Sequence, residues 1–243
     1  MAKAMLFIDG SWLYHVRPYL LNLDGRQDFE LDYKALPVLV KEYLSSQLEM
    51  PIDMVRTYYF GTLAINKPGH DNVREKQFYE MLNKRCNYHT EIFEYDFKNR
   101  ETGRRENCLE VGLSSTALVH AFQPGTYDIA CILAGDLDYR PLIKHLHNLG
   151  KRILLIAAKG NAGFYPIHPK FIEESGMFDF PILFLDEHLD KLHLQRTEQV
   201  RSCDSCGKEE LSVFTSDWFY CKSCREEHRQ LRLKQNIEDK MPS

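Results

Sequence analysis

Three aspartates stand where apolar runs end. In "MLFIDGSWLY", residues 5–14, a buried-strand pattern finishes on Asp9, with Gly10 behind it. In "IACILAGDLDYRPL", residues 129–142, a second run reaches Gly135 and delivers Asp136 and Asp138. A fourth acid, Glu110, lies in "CLEVGL", a stretch with no other charge, where an unpaired carboxylate is costly unless something polar receives it. Acids gathered at one place repel one another and raise each other's pKa unless a cation binds between them. Carboxylate oxygens suit Mg2+ or Mn2+, and Mg2+ keeps several waters that leave room for a phosphate oxygen. Each acid also has a plain structural use. Strand-end Asp caps helices and turns, and Asp138 fits as the cap of "YRPLIKHLHNLG", with Pro141 in its first turn.

The elements that would carry these acids follow from hydrophobic pattern. Short apolar runs predict strands at about 4–9, 53–60, 89–96, 128–134, 152–158 and 181–185. Amphipathic segments predict helices at about 31–48, 71–86, 106–122, 138–149 and 169–175. Runs such as "DIACILA" and "RILLIAA" are apolar without alternation, as parallel strands covered on both faces are. The fold class is therefore α/β, an open and mainly parallel sheet flanked by helices. Only "TEIFEYDF" alternates, with Phe93, Tyr95 and Phe97 on one side, which suits an edge strand. Such sheets bind ligands outside the carboxyl ends of their strands, so Asp9, Asp136 and Asp138 belong on one rim.

Composition sets outer bounds. A chain of 243 residues with 44% hydrophobic and 27% charged residues excludes disordered and fibrous classes. Its net charge of −4 means that any nucleic-acid site must be a local basic patch. No stretch approaches the roughly 18 apolar residues of a membrane span, and "MAKAMLFIDG" is too short a run for a secretory signal. The expectation is a soluble, cytoplasmic protein.

The C-terminal part reads separately. Cys203, Cys206, Cys221 and Cys224 form two C-x-x-C pairs with residues 207–220 between them, and "SVFTSDWFY" inside that interval reads as a short hairpin. This is the pattern of a four-cysteine zinc ribbon, closed on all four corners, whose Zn2+ holds the fold. Two domains result, 1–195 and 196–243, with "DKLHLQRTEQVR" as a polar linker between them. After the ribbon, Arg225, Arg229, Arg232 and Lys234 are interspersed with Glu226 and Glu227, so nucleic acid, a protein partner or a homodimer contact all suit this element.

The first domain resembles the NYN family of PIN-like nucleases, its LabA-like group in particular, over roughly residues 4–190. The resemblance rests on "FIDGSWLY", "RTYYFG", "RRENCLEVGLSSTAL" and "ILAGDLDYRPLIKHLHNLGKRILLI". It implies metal-dependent cleavage of RNA, with Asp9, Glu110, Asp136 and Asp138 as the catalytic acids and Asp9, Glu110 and Asp136 on the ion. Trp12 stands where the family usually has Asn. Glu106-Asn107-Cys108-Leu109-Glu110 replaces Glu-Lys-Gly-Val-Asp, and Thr116 occupies the place of a second aspartate. These departures leave acids for one ion, and they favour a second reading in which the fold binds RNA or protein without efficient cleavage.

Substrate contacts are expected beside the acids. "KNRETGRRENC" puts Lys98, Arg100, Arg104 and Arg105 directly before the central helix, where guanidinium groups and a helix N-terminus both favour phosphate. Its plain alternative is a solvated loop. Trp12, Tyr14 and Tyr139 flank the acids, and Trp12 is the candidate for stacking on single-stranded RNA. His145 and His147 are two apart on a helix and do not share a face, so they are read as ordinary surface residues.

Overall fold

The structure is a computed structural model that describes residues 1–24, 30–69, 71–97, 108–159, 167–195, 199–212, 218–228 and 230. The chain divides into two compact units, Met1–His193 and Leu194–Ser243.

In the first unit six strands form one sheet: β1 (Ala2–Asp9), β2 (Ile52–Ile65), β3 (His89–Asp96), β4 (Ile129–Leu133), β5 (Arg152–Ala157) and β6 (Leu183–Phe184). Every pairing is parallel, in the order β3-β2-β1-β4-β5-β6. The helices that cover it are α1 (Gly10–Asp24), α2 (Ala35–Leu48), α3 (Val73–Cys86), α4 (Leu109–Phe122), α5 (Arg140–Asn148), α6 (Pro169–Glu173) and α7 (Leu189–Leu192). Strand β1 shows why both faces must be covered. Ala4, Leu6 and Ile8 enter the core shared with α1, α2 and α3, while Met5 and Phe7 enter the core shared with α4, α5 and α6. The two-residue period then sends Asp9 to the side of α4 and α5.

Helix α1 is absent from the sequence expectation. Gly10 and Pro18 read as breakers, yet Leu13, Val16 and Leu20 bury one stripe at helical spacing and carry the helix through Pro18. Strand β3 lies at the sheet edge as expected. Its residues are half-buried on both faces, because α3 and α4 pack on it from the two sides. Helix α4 comes so close that a Cβ on Gly112 would lie 2.1 Å from the Phe93 ring. That approach explains a glycine in a helix interior, where it costs about 0.5–1 kcal/mol against alanine.

The second unit contains an antiparallel pair, β7 (Gln199–Ser202) with β8 (Glu209–Ser212), and a helical stretch at 222–228. The hairpin thus closes around the first cysteine pair, with its partner strand upstream. The hairpin read in "SVFTSDWFY" centres on residues 213–217, which fall outside the described residues. The segment read as a polar linker is helical at 190–192, within α7, and extended at 199–201, within β7. No helix among the described residues is long and apolar enough to cross a membrane.

Candidate functional site

The chain leaves β1, builds β2 and β3 on one side, and returns through α4 to place β4 on the other side of β1. Ile8 and Leu133 are paired across β1 and β4, so a crevice opens above them where the strand order reverses. Asp9 is the last residue of β1, and Asp136 follows the end of β4 after Ala134 and Gly135. The rim placement read from sequence holds, and adjacency of the two strands narrows it to neighbouring strand ends.

Asp9 is only 4% exposed. Its Oδ1 accepts the Trp12 backbone N–H at 2.8 Å, and its Oδ2 accepts the Tyr139 hydroxyl at 2.8 Å. Burial pushes its carboxyl up to about 6, and the charge of Glu110 adds to the rise. The Trp12 and Ser11 N–H groups and the Tyr139 hydroxyl pull the other way without cancelling it. A close approach fixes the turn that follows. A Cβ on Gly10 would sit 2.5 Å from the Phe60 carbonyl oxygen and 2.4 Å from the Tyr59 ring.

Tyr139 is completely buried. Its ring belongs to the core under α4 and α5. Burial pushes its phenol far above the ordinary range, and the charges of Asp9, Glu110 and Asp136 push it further. Three of the four acids therefore converge electrostatically on one hydroxyl. Asp136 and Asp138 are exposed, and the half-buried Glu110 stands in the first turn of α4. The plain alternative for Asp138, a cap on α5, is not seen, since the start of that helix has no side-chain cap. Asp136 caps the 3-10 turn Leu137–Tyr139, its Oδ1 accepting the Asp138 N–H at 3.1 Å, because the carboxylate nearest the strand end faces the free N–H groups of the turn.

This rim is braced from β5 and from the start of α6. The Ala134 N–H donates to the Ile156 carbonyl at 3.1 Å, and the His168 N–H donates to the Gly135 carbonyl at 2.8 Å. Arg140 grips both oxygens of Glu174, at 2.8 Å through Nε and 3.0 Å through the second guanidinium nitrogen. No three of the acids bring carboxylate oxygens within 4.8 Å of one another; among the described residues only the four cysteines form such a group. The acids offer carboxylate oxygens alone, the donor type that Mg2+ takes, usually from one or two side chains with waters in the remaining places.

Trp12 is half-buried against both cores, whereas Tyr14 is exposed. Arg100, Arg104 and Arg105 lie outside the described residues, as do Lys98, Glu106 and Asn107. Thr116 donates to both oxygens of Glu91, at 3.2 and 3.4 Å, so β3 supplies an acid beside the position where the resembled family has its second aspartate. Sequence reading passed over Glu91 because it is one of several charges on the edge strand. His147 faces Asp179 at 3.3 Å, and neither histidine of α5 joins the site.

The NYN domain family matches residues 3–168, more than half of the chain. The chain belongs to the NYN domain family. Membership places this domain among PIN-like folds of nuclease type with RNA-related function, a group that usually uses divalent metals. No curated protein and no solved structure matches the chain.

Beyond the NYN domain, the Sγ atoms of Cys203, Cys206, Cys221 and Cys224 all lie within 4.8 Å of one another, an arrangement consistent with a zinc ribbon. The first knuckle turns through Gly207 at φ 72°, with the Gly207 N–H on the Cys203 carbonyl at 2.8 Å. Burial pushes the Cys203 thiol up, but N–H groups of Cys221, Cys206 and Ser205 outweigh it and bring the thiol down to about 6. The Cys221 N–H reaches the sulfur at 3.2 Å. A thiolate held by backbone donors is the form a metal takes.

Proposed function

We propose that the chain is a metal-dependent endoribonuclease that hydrolyses phosphodiester bonds in RNA, single-stranded RNA in particular. The observation that carries this reading is the buried Asp9 carboxylate, held by the Tyr139 hydroxyl at the β1/β4 strand ends, with Asp136 capping the turn that ends on Tyr139. The donors are all carboxylates, as Mg2+ and Mn2+ prefer. Asp9 and Asp136 would hold the ion directly. Glu110 would hold it as well or take a proton from the attacking water, and Asp138 would orient that water. When bound, the ion makes water more acidic and neutralises charge developing on phosphorus. Trp12 would stack on a base, and Arg100, Arg104 and Arg105 would bind phosphates. Zn2+ on the four cysteines would hold the C-terminal element, which would serve substrate or partner recognition, including a protein partner or a second copy. Four reduced thiols fit a cytoplasmic location.

The Asp136→Asn variant tests the assignment. Asparagine keeps an oxygen to accept the Asp138 N–H, so the turn and the melting profile should persist while cleavage falls to background. Undiminished cleavage by this variant would remove Asp136 from the mechanism. The second reading, a binding module with weakened cleavage, is supported by Thr116, which donates to Glu91 instead of supplying a rim acid. RNA bound but left intact by the wild-type chain in every metal would favour it.

A further inference from the structure

We propose that Tyr139 is a positioning residue of the ion site, its hydroxyl holding the Asp9 carboxylate in the orientation from which it takes a divalent cation. The inference rests on the metal-dependent reading above. A phenylalanine would fill the same space under α4 and α5, so packing alone asks only for the ring. What the hydroxyl adds is a donor, 2.8 Å from Asp9 Oδ2, in a place from which water is excluded. A buried phenol requires a partner, and this one finds it across the crevice between β1 and β4.

The arrangement does two things. First, Asp9 is gripped from two elements, by the Trp12 N–H at the start of α1 and by Tyr139 from the turn after β4. With the Ser11 N–H these make three donors for the four lone pairs of the two oxygens, so the grip orients the carboxylate and leaves a lone pair for a cation. Second, Asp136 caps the same 3-10 turn that ends on Tyr139. The hydroxyl bond therefore ties the strand end carrying Asp9 to the turn carrying Asp136, and so fixes the spacing of the two acids that would share an ion. Outer hydrogen bonds of this kind typically account for about 10–100-fold in metal affinity. Tyr139 points its hydroxyl at Asp9 and acts through that carboxylate.

The test is Mn2+ binding by calorimetry and electron paramagnetic resonance on the full chain without RNA, comparing wild type, Tyr139→Phe and Asp136→Asn. Tyr139→Phe should bind Mn2+ about 10-fold or more weakly, with an altered resonance spectrum, at an unchanged circular dichroism spectrum. With RNA present, kcat should fall at saturating substrate while KM for RNA stays the same, a split that a general loosening of the fold would not give. Wild-type affinity and an unaltered spectrum in Tyr139→Phe, alongside weakened binding by Asp136→Asn, would overturn the positioning role and leave the ion site standing. Absence of Mn2+ binding by the wild type would overturn both.

Discussion

Asp9→Asn should melt several degrees higher than the wild-type chain in metal-free buffer at pH 7, and it should cleave no RNA. Folding moves the Asp9 carboxyl from the 3.8 of an unperturbed aspartate to about 6, burial being the main cause. Between those values the folded state holds more protons than the unfolded one, so stability falls as pH rises through this window. Above about 6 the penalty is fully present, and below about 4 it is gone. It corresponds to about 3 kcal/mol at neutral pH. In a domain of this size each kcal/mol moves the melting temperature by roughly 2–4 °C. Asparagine removes the charge while keeping an oxygen for the Trp12 N–H, and its amide can donate to the Tyr139 oxygen. The gap between variant and wild type should close as pH is lowered from about 7 to about 4. Added Mn2+ should raise the melting temperature of the wild type alone, since a ligand stabilises only the state that binds it. Calorimetric scans across that pH range check each part. A variant that melts below wild type at pH 7, with no change in pH slope, would mean that Asp9 is an ordinary satisfied acid and not a strained functional one.

The second large effect concerns the cysteines. Chelation of zinc, or Cys221→Ser, should unfold the C-terminal unit while the NYN domain retains its own melting transition. Among the described residues the core of that unit is small, with Cys203, Phe219, Cys221 and Cys224 as its buried members, so side-chain burial there supplies little. Structural zinc in comparable peptides contributes about 10–16 kcal/mol of apparent folding free energy near neutral pH. Elemental analysis should find one zinc per chain. Limited proteolysis of the chelated protein should then cut between Cys203 and Cys224, where the zinc-loaded protein resists. Equal protection with and without metal would contradict a zinc-held fold.

The sequence displayed the acids because each one breaks an apolar run, and the open parallel sheet because its strands lack alternation. Helix α1 escaped notice because Pro18 and Gly10 signal breaks, whereas the burial of Leu13, Val16 and Leu20 that holds it together is a tertiary effect. The task of Tyr139 was illegible for a related reason. It acts on Asp9 across 130 positions of chain, and only the adjacency of β1 and β4 brings the two together. Asp136, and not Asp138, does the capping before α5, because the choice depends on which carboxylate faces the free N–H groups, a matter of side-chain geometry and not of spacing. The ribbon was legible from cysteine spacing, whereas the β7–β8 pair around its first cysteine pair was not, because "QVRS" and "EELS" are short and polar.

The central claim is that this rim cuts RNA with the help of a divalent ion. The most direct measurement is the cleavage of an internally unstructured, end-labelled RNA by the wild-type chain in Mn2+, in Mg2+ and in EDTA. Internal fragments should appear with Mn2+ or Mg2+ and vanish with EDTA. RNA that stays intact in both metals, or fragments that persist undiminished in EDTA, would contradict the account.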